Sequence, residues 1–358
     1  MAFPSASGYS NLPNGNFSPV IYSQKVQKAF RKSSVVEDIT NTDYMGEIAN
    51  YGDSVRIIKE PEITVSDYKR GTTVAAQDLS DADFSLVVDQ ANYFMFKVDD
   101  IEAAHSHVNF MDLATDRAAY RLSDTFDQEV LGYLSGYVRN TANTAWIVNA
   151  SVNGTKADSS AGSDELLLAN KLDITDFGGS DLGGTEDADT HLLTSIPTAA
   201  GGGAGAITSP LAILNRMARK MDEANVDSEG RWFVADPVFY ELLMDEDSKF
   251  VNADFGGGEE IRNGRVGNGL IRGFRVYKSN NLPYFGTGPG TTASVGSEEN
   301  FGVLVAGHDS AIATAQQLAK TESYRDPDSF ADIVRGMQLY GRKILRPEAI
   351  MTANYNLA

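Results

Sequence analysis

The stretch IEAAHSHVNFMDLATDRAAYRLSDTFDQEVLGYL, residues 101–134, is the longest periodic segment of the chain. It contains no proline, and its only glycine is Gly132. Apolar residues recur in it at four-residue spacing, which places them on one face of a helix: Leu122, Phe126, Val130 and Leu134. Thirty-odd residues at ~1.5 Å of rise each make a rod of about 45 Å. The pattern predicts a long helix that acts as a beam rather than as part of an ordinary small core.

The segments before this helix differ from it in composition. Residues 1 to about 45 are rich in Ser, Asn, Pro and Gly and hold few large apolar residues, which predicts an arm that lies on another surface. Residues 54–65 and 83–98 are rich in β-branched and aromatic side chains, with a polar link between them. They predict two long strands with an extended tip, the first at a sheet edge or bulged because Pro61 cannot donate a ladder hydrogen bond.

The segments after the helix predict a mixed α/β layer. Residues 150–208 are dominated by Gly, Asp, Ser and Thr, and we interpret them as a surface insertion or long loops. Ser209 and Pro210 are typical of a helix start, and GRWFVADPVFYELL (230–243) predicts a strand, a turn capped by Asp236 and a helix. The remaining predicted elements are a short buried strand at 301–306 and one long strand or two at 330–345.

Composition limits the classes of function. The chain has 358 residues, 42% of them hydrophobic, which is enough for a substantial core. A formal net charge of -19 argues against a surface that binds nucleic-acid phosphates, since that requires clustered Lys and Arg. The absence of cysteine excludes disulfides, thiolate metal sites and a cysteine nucleophile. We find no export signal or apolar membrane span in the sequence.

Motifs that carry chemistry are few. His105 and His107 are two residues apart and therefore point away from each other on a helix. The glycine-rich stretches at 201–205 and 267–273 lack the spacing of phosphate or dinucleotide loops. Two alternatives stay open: GGSDLGGTEDAD (178–189) as a calcium loop, and Glu259 with Glu260 as a carboxylate pair. We predict no cofactor and no metal.

The order of parts resembles the major capsid proteins of tailed double-stranded DNA phages, which have the Hong Kong 97-type fold. Three motifs carry the resemblance: GRWFVADPVFYELL (230–243), GLIRGFRVYKSNNLP (269–283) and VRGMQLYGRKILRPEAI (334–350). The chain departs from the family pattern at 150–208. The resemblance implies an α+β fold with four parts. These are an N-terminal arm (1–47), an extended β-hairpin loop (48–98), a peripheral domain with the spine helix (99–145 and 316–340) and an axial domain (146–315 and 341–358) that includes the 150–208 insertion.

The resemblance also implies roles for particular residues. The arm and the loop reach neighbouring subunits, so Phe17, Tyr22, Lys69 and Arg70 are candidates for contacts between subunits. Gly269 and Gly273 are expected to flank a close approach of the backbone, with Phe274 and Val276 facing the axial core. Residues 280–283, ending in Pro283, form the turn that closes this strand.

The implied function is a structural one, without enzymatic activity. Copies of the chain are expected to form hexamers and pentamers of an icosahedral head in the virion, after synthesis in the host cytoplasm. A separate scaffolding protein and a portal are implied, and a decoration or cement protein is compatible with the layout. The shell encloses DNA without sequence-specific binding and involves no membrane. The alternatives are an encapsulin-type compartment and, from a different class, a hydrolase or calcium-dependent adhesin built on the insertion.

Overall fold

The computed structural model describes part of the chain in detail. The described residues are 34–44, 54–59, 63, 65, 67–71, 76, 82–100, 110–139, 146–149, 152, 166–172, 174–178, 196–199, 207–244, 270–286 and 300–357. Every structural statement below refers to these residues.

The predicted long helix is confirmed over its described part. It is α2, Phe110–Ser135, with 26 residues, or about 39 Å of rise; residues 101–109 lie outside the described part. The helix ends at Gly136, whose φ of 84° suits a glycine that follows a helix. Gly132 lets the strand pair β4 (Tyr137–Arg139) and β5 (Trp146–Val148) fold back onto the helix, because an added Cβ would lie 2.7 Å from the Trp146 ring.

A seven-stranded mixed sheet forms the α/β layer. Its strands in spatial order are β6 (Lys171–Leu172), β14 (Met351–Leu357), β11 (Gly302–His308), β8 (Arg231–Ala235), β10 (Phe274–Lys278) and β9 (Leu270–Ile271), with β7 (Ile196–Thr198) also paired to β14. β8 and β10 are parallel, whereas β11 is antiparallel to both β8 and β14. Since side chains alternate along a strand, β8 sends Trp232 and Val234 into one core and Phe233 and Ala235 into another.

Helices cover both faces of this sheet. α3 (Pro210–Glu223) and α4 (Pro237–Met244) bury one face, and α2 packs on the other with the short α1 (Val36–Ile39). The predicted starts are confirmed: Ser209 precedes Pro210 at the first position of α3, and Asp236 Oδ1 accepts a hydrogen bond from the Phe239 amide at 3.2 Å. The sheet and its helices therefore match the predicted α/β layer.

The prediction that residues 150–208 form only surface loops is wrong for the parts that the structure describes. β6 and β7 pair in parallel with β14, and Leu172 and Ile196 are fully buried. These short apolar stretches enter the sheet because β14 offers an edge for hydrogen bonding, which local composition does not reveal.

A second sheet has three strands, in the order β12 (Ile312–Arg325), β13 (Ala331–Ile344), β3 (Gln90–Asp99). The uncertainty over 330–345 is resolved as one strand, β13. The single strand predicted for 83–98 is wrong: it is β2 (Ala82–Val87) and β3, separated by Val88 and Asp89. The break lies against Gly341, where an added Cβ would be 2.4 Å from the Val87 carbonyl oxygen.

The predicted hairpin is present as a two-stranded ribbon of β1 (Ser54–Lys59) and β2. The first predicted strand, 54–65, is too long: β1 ends at Lys59, and Ile63 and Val65 are exposed and outside any strand. The physical reason is Pro61, which lacks a backbone donor. Register runs from Ser54 opposite Val87 at the root of the ribbon to Lys59 opposite Ala82 at its far end.

Candidate assembly surfaces

Residues 270–283 form a hairpin, a strand and a closing turn. Gly273 has φ 86° and Arg272 has φ 52°, so they make the tight turn between β9 and β10. The expected close backbone approach at Gly273 is wrong, because an added Cβ there would meet nothing within 4 Å. Gly269, the second glycine of that prediction, lies outside the described residues. Phe274 is fully buried in the core on one face of the seven-stranded sheet, and Val276 packs against that core.

The closing turn is held against the long helix. Pro283 accepts a hydrogen bond from the Val303 amide at 3.2 Å, and Leu282 is buried in the core beside α2. The Asn281 side-chain amide donates to Asp127 Oδ2 at 3.3 Å, and its carbonyl accepts from Gln128 Nε2 at 3.3 Å. The turn thus connects the seven-stranded sheet directly to α2.

Asp127 is the centre of this junction and is fully buried. Its carboxylate accepts hydrogen bonds from Ser34 Oγ at 2.7 Å, from the Val36 amide at 3.1 Å and from the Val35 amide at 3.3 Å. One side chain therefore joins the segment at residues 34–36, the long helix and the turn at residues 280–283. The sequence analysis missed this role, although a charged residue beside the apolar stripe was the available signal.

The predicted helical stripe is buried unevenly. Val130 and Leu134 are fully buried in the core, whereas Leu122 and Phe126 are half-buried and line a hollow of about 580 Å³ between α2 and the second sheet. The Phe126 ring meets the Tyr340 ring edge-on at 4.8 Å between centroids. The C-terminal end of the helix, from Val130, is therefore core, and the part around Leu122 and Phe126 faces an open groove.

Polar groups also lie between α2 and the second sheet. Glu129 Oε2 accepts a hydrogen bond from Asn92 Nδ2 at 3.3 Å and is 3.9 Å from Arg342 Nη1. Burial raises the pKa of Glu129 and lowers the pKa of Arg342, and their mutual attraction opposes both shifts. For both side chains the effect of burial on the pKa is larger than the effect of their mutual attraction. The attraction across 3.9 Å therefore compensates only part of the hydration that the two charges lose.

The outer face of the second sheet combines apolar and ion-paired residues. Tyr93 is 78% exposed and Met95 60%, with the exposed Met337 opposite Tyr93 on β13. Arg335 Nη2 is 2.8 Å from Glu322, and hydrogen bonds from Lys320 and Arg335 lower the pKa of Glu322 to about 2. A large apolar patch rimmed by charges is typical of a protein interaction surface.

One end of this sheet is acidic, and we call residues 97–100 and 325–332 the acidic end. Lys97 Nζ is 3.1 Å from Asp326, and Arg325 Nη1 is 2.8 Å from Asp100 Oδ1 and 3.3 Å from Asp332. Three hydrogen bonds lower the pKa of Asp326 to about 2. The bond from Ser329 has the largest effect, followed by those from the Asp328 amide and Lys97. Phe330, on the connection between β12 and β13, is 81% exposed.

The ribbon and its connection also expose apolar side chains. Val65 is 93% exposed, and the other exposed large residues there are Ile58, Ile63, Tyr68 and Val87. Lys69 and Arg70, the predicted contact residues, are exposed beside Gly71, whose φ is 94°. We call residues 67–71 the basic turn. Phe17 and Tyr22, the other two candidates, lie outside the described residues.

The described residues offer little that could support catalysis or metal binding. Within them, no three His, Asp or Glu side chains are arranged to hold a metal ion. His308 has a local role: its ring nitrogens are 2.9 Å from Ser310 Oγ and 2.7 Å from the Glu229 carbonyl. His105, His107, Glu259, Glu260 and the stretches 179–189 and 201–205 lie outside the described part. Among the described helices, none has the length and apolarity of a membrane span.

Comparisons with known proteins find similarity to phage capsid proteins. Residues 178–353, slightly less than half of the chain, match the family model described as phage capsid protein. The structure is similar to that of a chain from Mycobacterium phage Che8, with 25% identity, a TM-score of 0.67, and coverage of 94% of this chain and 97% of that chain. It is also similar to the capsid structure of cyanophage P-SCSP1u, with 18% identity, a TM-score of 0.68 and full coverage of both chains. No curated protein matches the sequence.

Proposed function

We infer that the chain is a major capsid protein of the phage capsid family with the Hong Kong 97-type fold, and from that premise we propose that its ribbon and the outer face of its second sheet form the contacts between subunits. Copies of the chain assemble into the icosahedral shell of the virion. The observation that carries the proposal is the large apolar area left uncovered on both surfaces, represented by Val65 and Tyr93. A monomer in water would not gain from exposing such patches, whereas a shell buries them.

The finer organisation is also a proposal. We propose hexamers and pentamers built with a separate scaffolding protein and a portal, after synthesis in the host cytoplasm, with room for a decoration protein outside. We also propose a division into an arm (1–47), a loop (48–98), a peripheral domain (99–145 and 316–340) and an axial domain (146–315 and 341–358). The ribbon of β1 and β2, α2 with the second sheet, and the seven-stranded sheet support this division, although β3 lies in the loop range and is a strand of the second sheet. Phe17, Tyr22, Lys69 and Arg70 remain proposed contact residues.

The role proposed here is structural rather than enzymatic. The encapsulin-type compartment and the hydrolase or calcium-dependent adhesin find no support in the comparisons, which lead to phage capsids. The net charge of -19 supports a shell that encloses DNA without binding its phosphates tightly.

Electron microscopy of the purified protein tests the proposal. We expect co-expression with the scaffolding protein from the same genome to give closed shells of uniform size. A stable monomer under those conditions would contradict the proposed function. As a matched comparison, a variant with Tyr93→Ser and Met95→Ser on the outer face should keep the subunit fold and lose most of the shells.

A further inference from the structure

We propose that Met95 and Met337 form a peroxide-sensitive site on the outer face of the second sheet, and that their oxidation to sulfoxides in the unassembled subunit prevents assembly. The oxidant is a hydroperoxide such as hydrogen peroxide. This inference rests on the proposed function, because oxidation can block assembly only if the shell buries the outer face. It is carried by the exposure of the two side chains, by the hollow that they share and by the charges around that hollow.

The two methionines are more accessible than the other methionines whose side chains the structure describes. Met95 is 60% exposed and Met337 is 41% exposed. Met244 is half-buried, and three others are fully buried in the core of the seven-stranded sheet, namely Met217, Met221 and Met351. Since oxidation of a methionine depends on access of the oxidant to its sulfur atom, a peroxide in solution reaches the outer face first.

The two side chains share one hollow on the surface of the sheet. Met337 lies directly opposite Tyr93 in the ladder between β13 and β3, and Met95 follows Tyr93 by two residues, so all three side chains are on the same face. They line a hollow of about 570 Å³, which is far larger than a peroxide molecule. Diagonal neighbours on antiparallel strands are only about 7–8 Å apart, so both methionines are open to an oxidant in the same space.

The charged side chains around this hollow favour the transfer of oxygen. Lys320, Glu322 and Arg335 line it. Both cations contact the one carboxylate, Lys320 through Oε1 and Arg335 through Oε2 at 2.8 Å, so the lining keeps a net positive charge. Positive N–H donors stabilise a hydroxide that leaves the peroxide, and they can also donate hydrogen bonds to a sulfoxide oxygen.

The reaction is a two-electron transfer of one oxygen atom. A lone pair of the sulfur attacks one oxygen of the peroxide, so that the O–O bond breaks and an S–O bond forms. The hydroxide that leaves takes the proton that the transferred oxygen loses, which gives water. The sulfur is oxidised and the peroxide is reduced, and the reaction requires no other reactant.

Oxidation changes the outer face from an apolar surface into a polar one. A sulfoxide oxygen is a strong hydrogen-bond acceptor that binds water, and burying it without a partner costs free energy. An oxidised outer face should therefore form weaker contacts with a neighbouring subunit. In a finished shell the same contact excludes the oxidant, so oxidation and assembly compete for one surface.

Peptide mapping by mass spectrometry tests the site in the unassembled subunit. The subunit is treated with dilute hydrogen peroxide, quenched with catalase and digested, and the gain of one oxygen atom is followed at each of the nine methionines. We expect Met95 and Met337 to be oxidised several-fold faster than the internal controls Met217, Met221 and Met351. Equal rates for the two groups would overturn the inference. Assembled shells should be oxidised more slowly than free subunits at both outer-face positions.

An assembly assay with the scaffolding protein measures the consequence. Peroxide-treated subunits should give several-fold fewer shells than untreated subunits, and the two methionine sulfoxide reductases together should restore the yield. Met95→Leu with Met337→Leu keeps the apolar volume and removes both sulfur atoms. The yield of this variant after treatment, relative to its own untreated yield, should fall much less than that of the parent. The matched control, Met244→Leu on α4, should stay as sensitive to peroxide as the parent.

The outcomes separate the inference from the proposed function. A full yield of shells from subunits oxidised at both positions would overturn the inference and leave the capsid function intact. An equal loss in the doubly substituted variant would also overturn it, because other residues would then explain the effect. If that variant forms no shells even without peroxide, the reductases decide, since an oxidised parent that they repair without restoring assembly would contradict the inference. Failure of the untreated parent to form shells would overturn the proposed function and, with it, the effect on assembly.

Discussion

At the scale of the residue, Asp127 joins three separate parts of the described structure. Its carboxylate binds the segment at Ser34, Val35 and Val36 and also receives the Asn281 amide. A buried carboxylate is tolerated only when hydrogen bonds replace its lost hydration, and here they come from two other parts of the chain. The segment that begins at Ser34 is therefore held against α2 at a defined point.

Replacing Asp127 by alanine should lower the free energy of unfolding by roughly 2–4 kcal/mol, because several buried donors lose a charged acceptor. Denaturant titration of the unassembled subunit measures the change. The control is Ser123→Ala on an exposed position of the same helix, which should stay within about 0.5 kcal/mol of the parent. An Asp127→Ala variant as stable as the parent would mean that the junction contributes nothing to the fold.

At the scale of the element, α2 has two roles along its length. Its C-terminal half completes the core under the seven-stranded sheet, with Val130, Leu131 and Leu134 fully buried. Its middle faces the second sheet through Phe126 and Glu129, an apolar contact next to a polar one. The helix therefore packs against both sheets and connects them.

The apolar contact gives the first prediction for this element. Phe126→Asp would place a charge against the Tyr340 ring and should lower the free energy of unfolding by about 2–4 kcal/mol. Phe126→Leu keeps an apolar side chain and should cost less than about 1.5 kcal/mol. Thermal melting and microscopy of both variants measure this. If Phe126→Asp melted and assembled like the parent, the packing role of this face would be wrong.

The polar contact predicts a dependence on pH. The pKa of Glu129 is raised by burial above its ordinary 4.5, so the folded chain binds a proton there more readily than the unfolded chain. As pH rises from about 4.5 through the raised folded pKa, this group therefore removes stability from the wild type. Glu129→Gln keeps an acceptor for Asn92 without the charge, so its stability relative to wild type should rise across that window.

Denaturant titrations of wild type and Glu129→Gln between about pH 4 and pH 8 measure the difference. Ser123→Ala, at an exposed position without a titratable group, is the control and should show no relative change with pH over the same range. If the Glu129→Gln variant instead lost stability relative to wild type as pH rises, attraction to Arg342 would outweigh the cost of burial.

At the scale of the whole molecule, the acidic charge and the exposed apolar area have different consequences. The formal charge of -19 keeps subunits apart in solution and weakens attraction to phosphates. The apolar ribbon and sheet face favour association, so assembly depends on burying them against a neighbour despite the repulsion. We therefore expect assembly to be favoured by higher ionic strength.

The same charge predicts that assembled shells do not retain duplex DNA at physiological salt. Cosedimentation of shells with a short labelled duplex, at about 0.15 M salt, should leave the DNA in the supernatant. A protein that binds phosphates through clustered Lys or Arg serves as the positive control. Binding of the duplex with nanomolar affinity would contradict the prediction that the shell does not retain DNA.

The sequence by itself determined the local elements whose signals are local. The period of the long helix, Ser209 with Pro210, Asp236 and the motif at 230–243 each predict an element that the structure contains. The order of these elements was also enough to indicate the family and the structural role. Such features are readable because side-chain periodicity and capping act within a few residues.

The contacts between segments that are distant in sequence could not be predicted and are seen only in the three-dimensional fold. β12 was not predicted, because its polar sequence becomes a strand only beside β13; β6 and β7 become core only at the edge of β14. The division of 83–98 into β2 and β3 depends on Gly341, which is remote in sequence, and the partners of Asp127 are about 90 residues before it and 154 after it. Hydrogen bonding between strands and burial of polar groups are set by neighbours in space, and a single sequence does not name those neighbours.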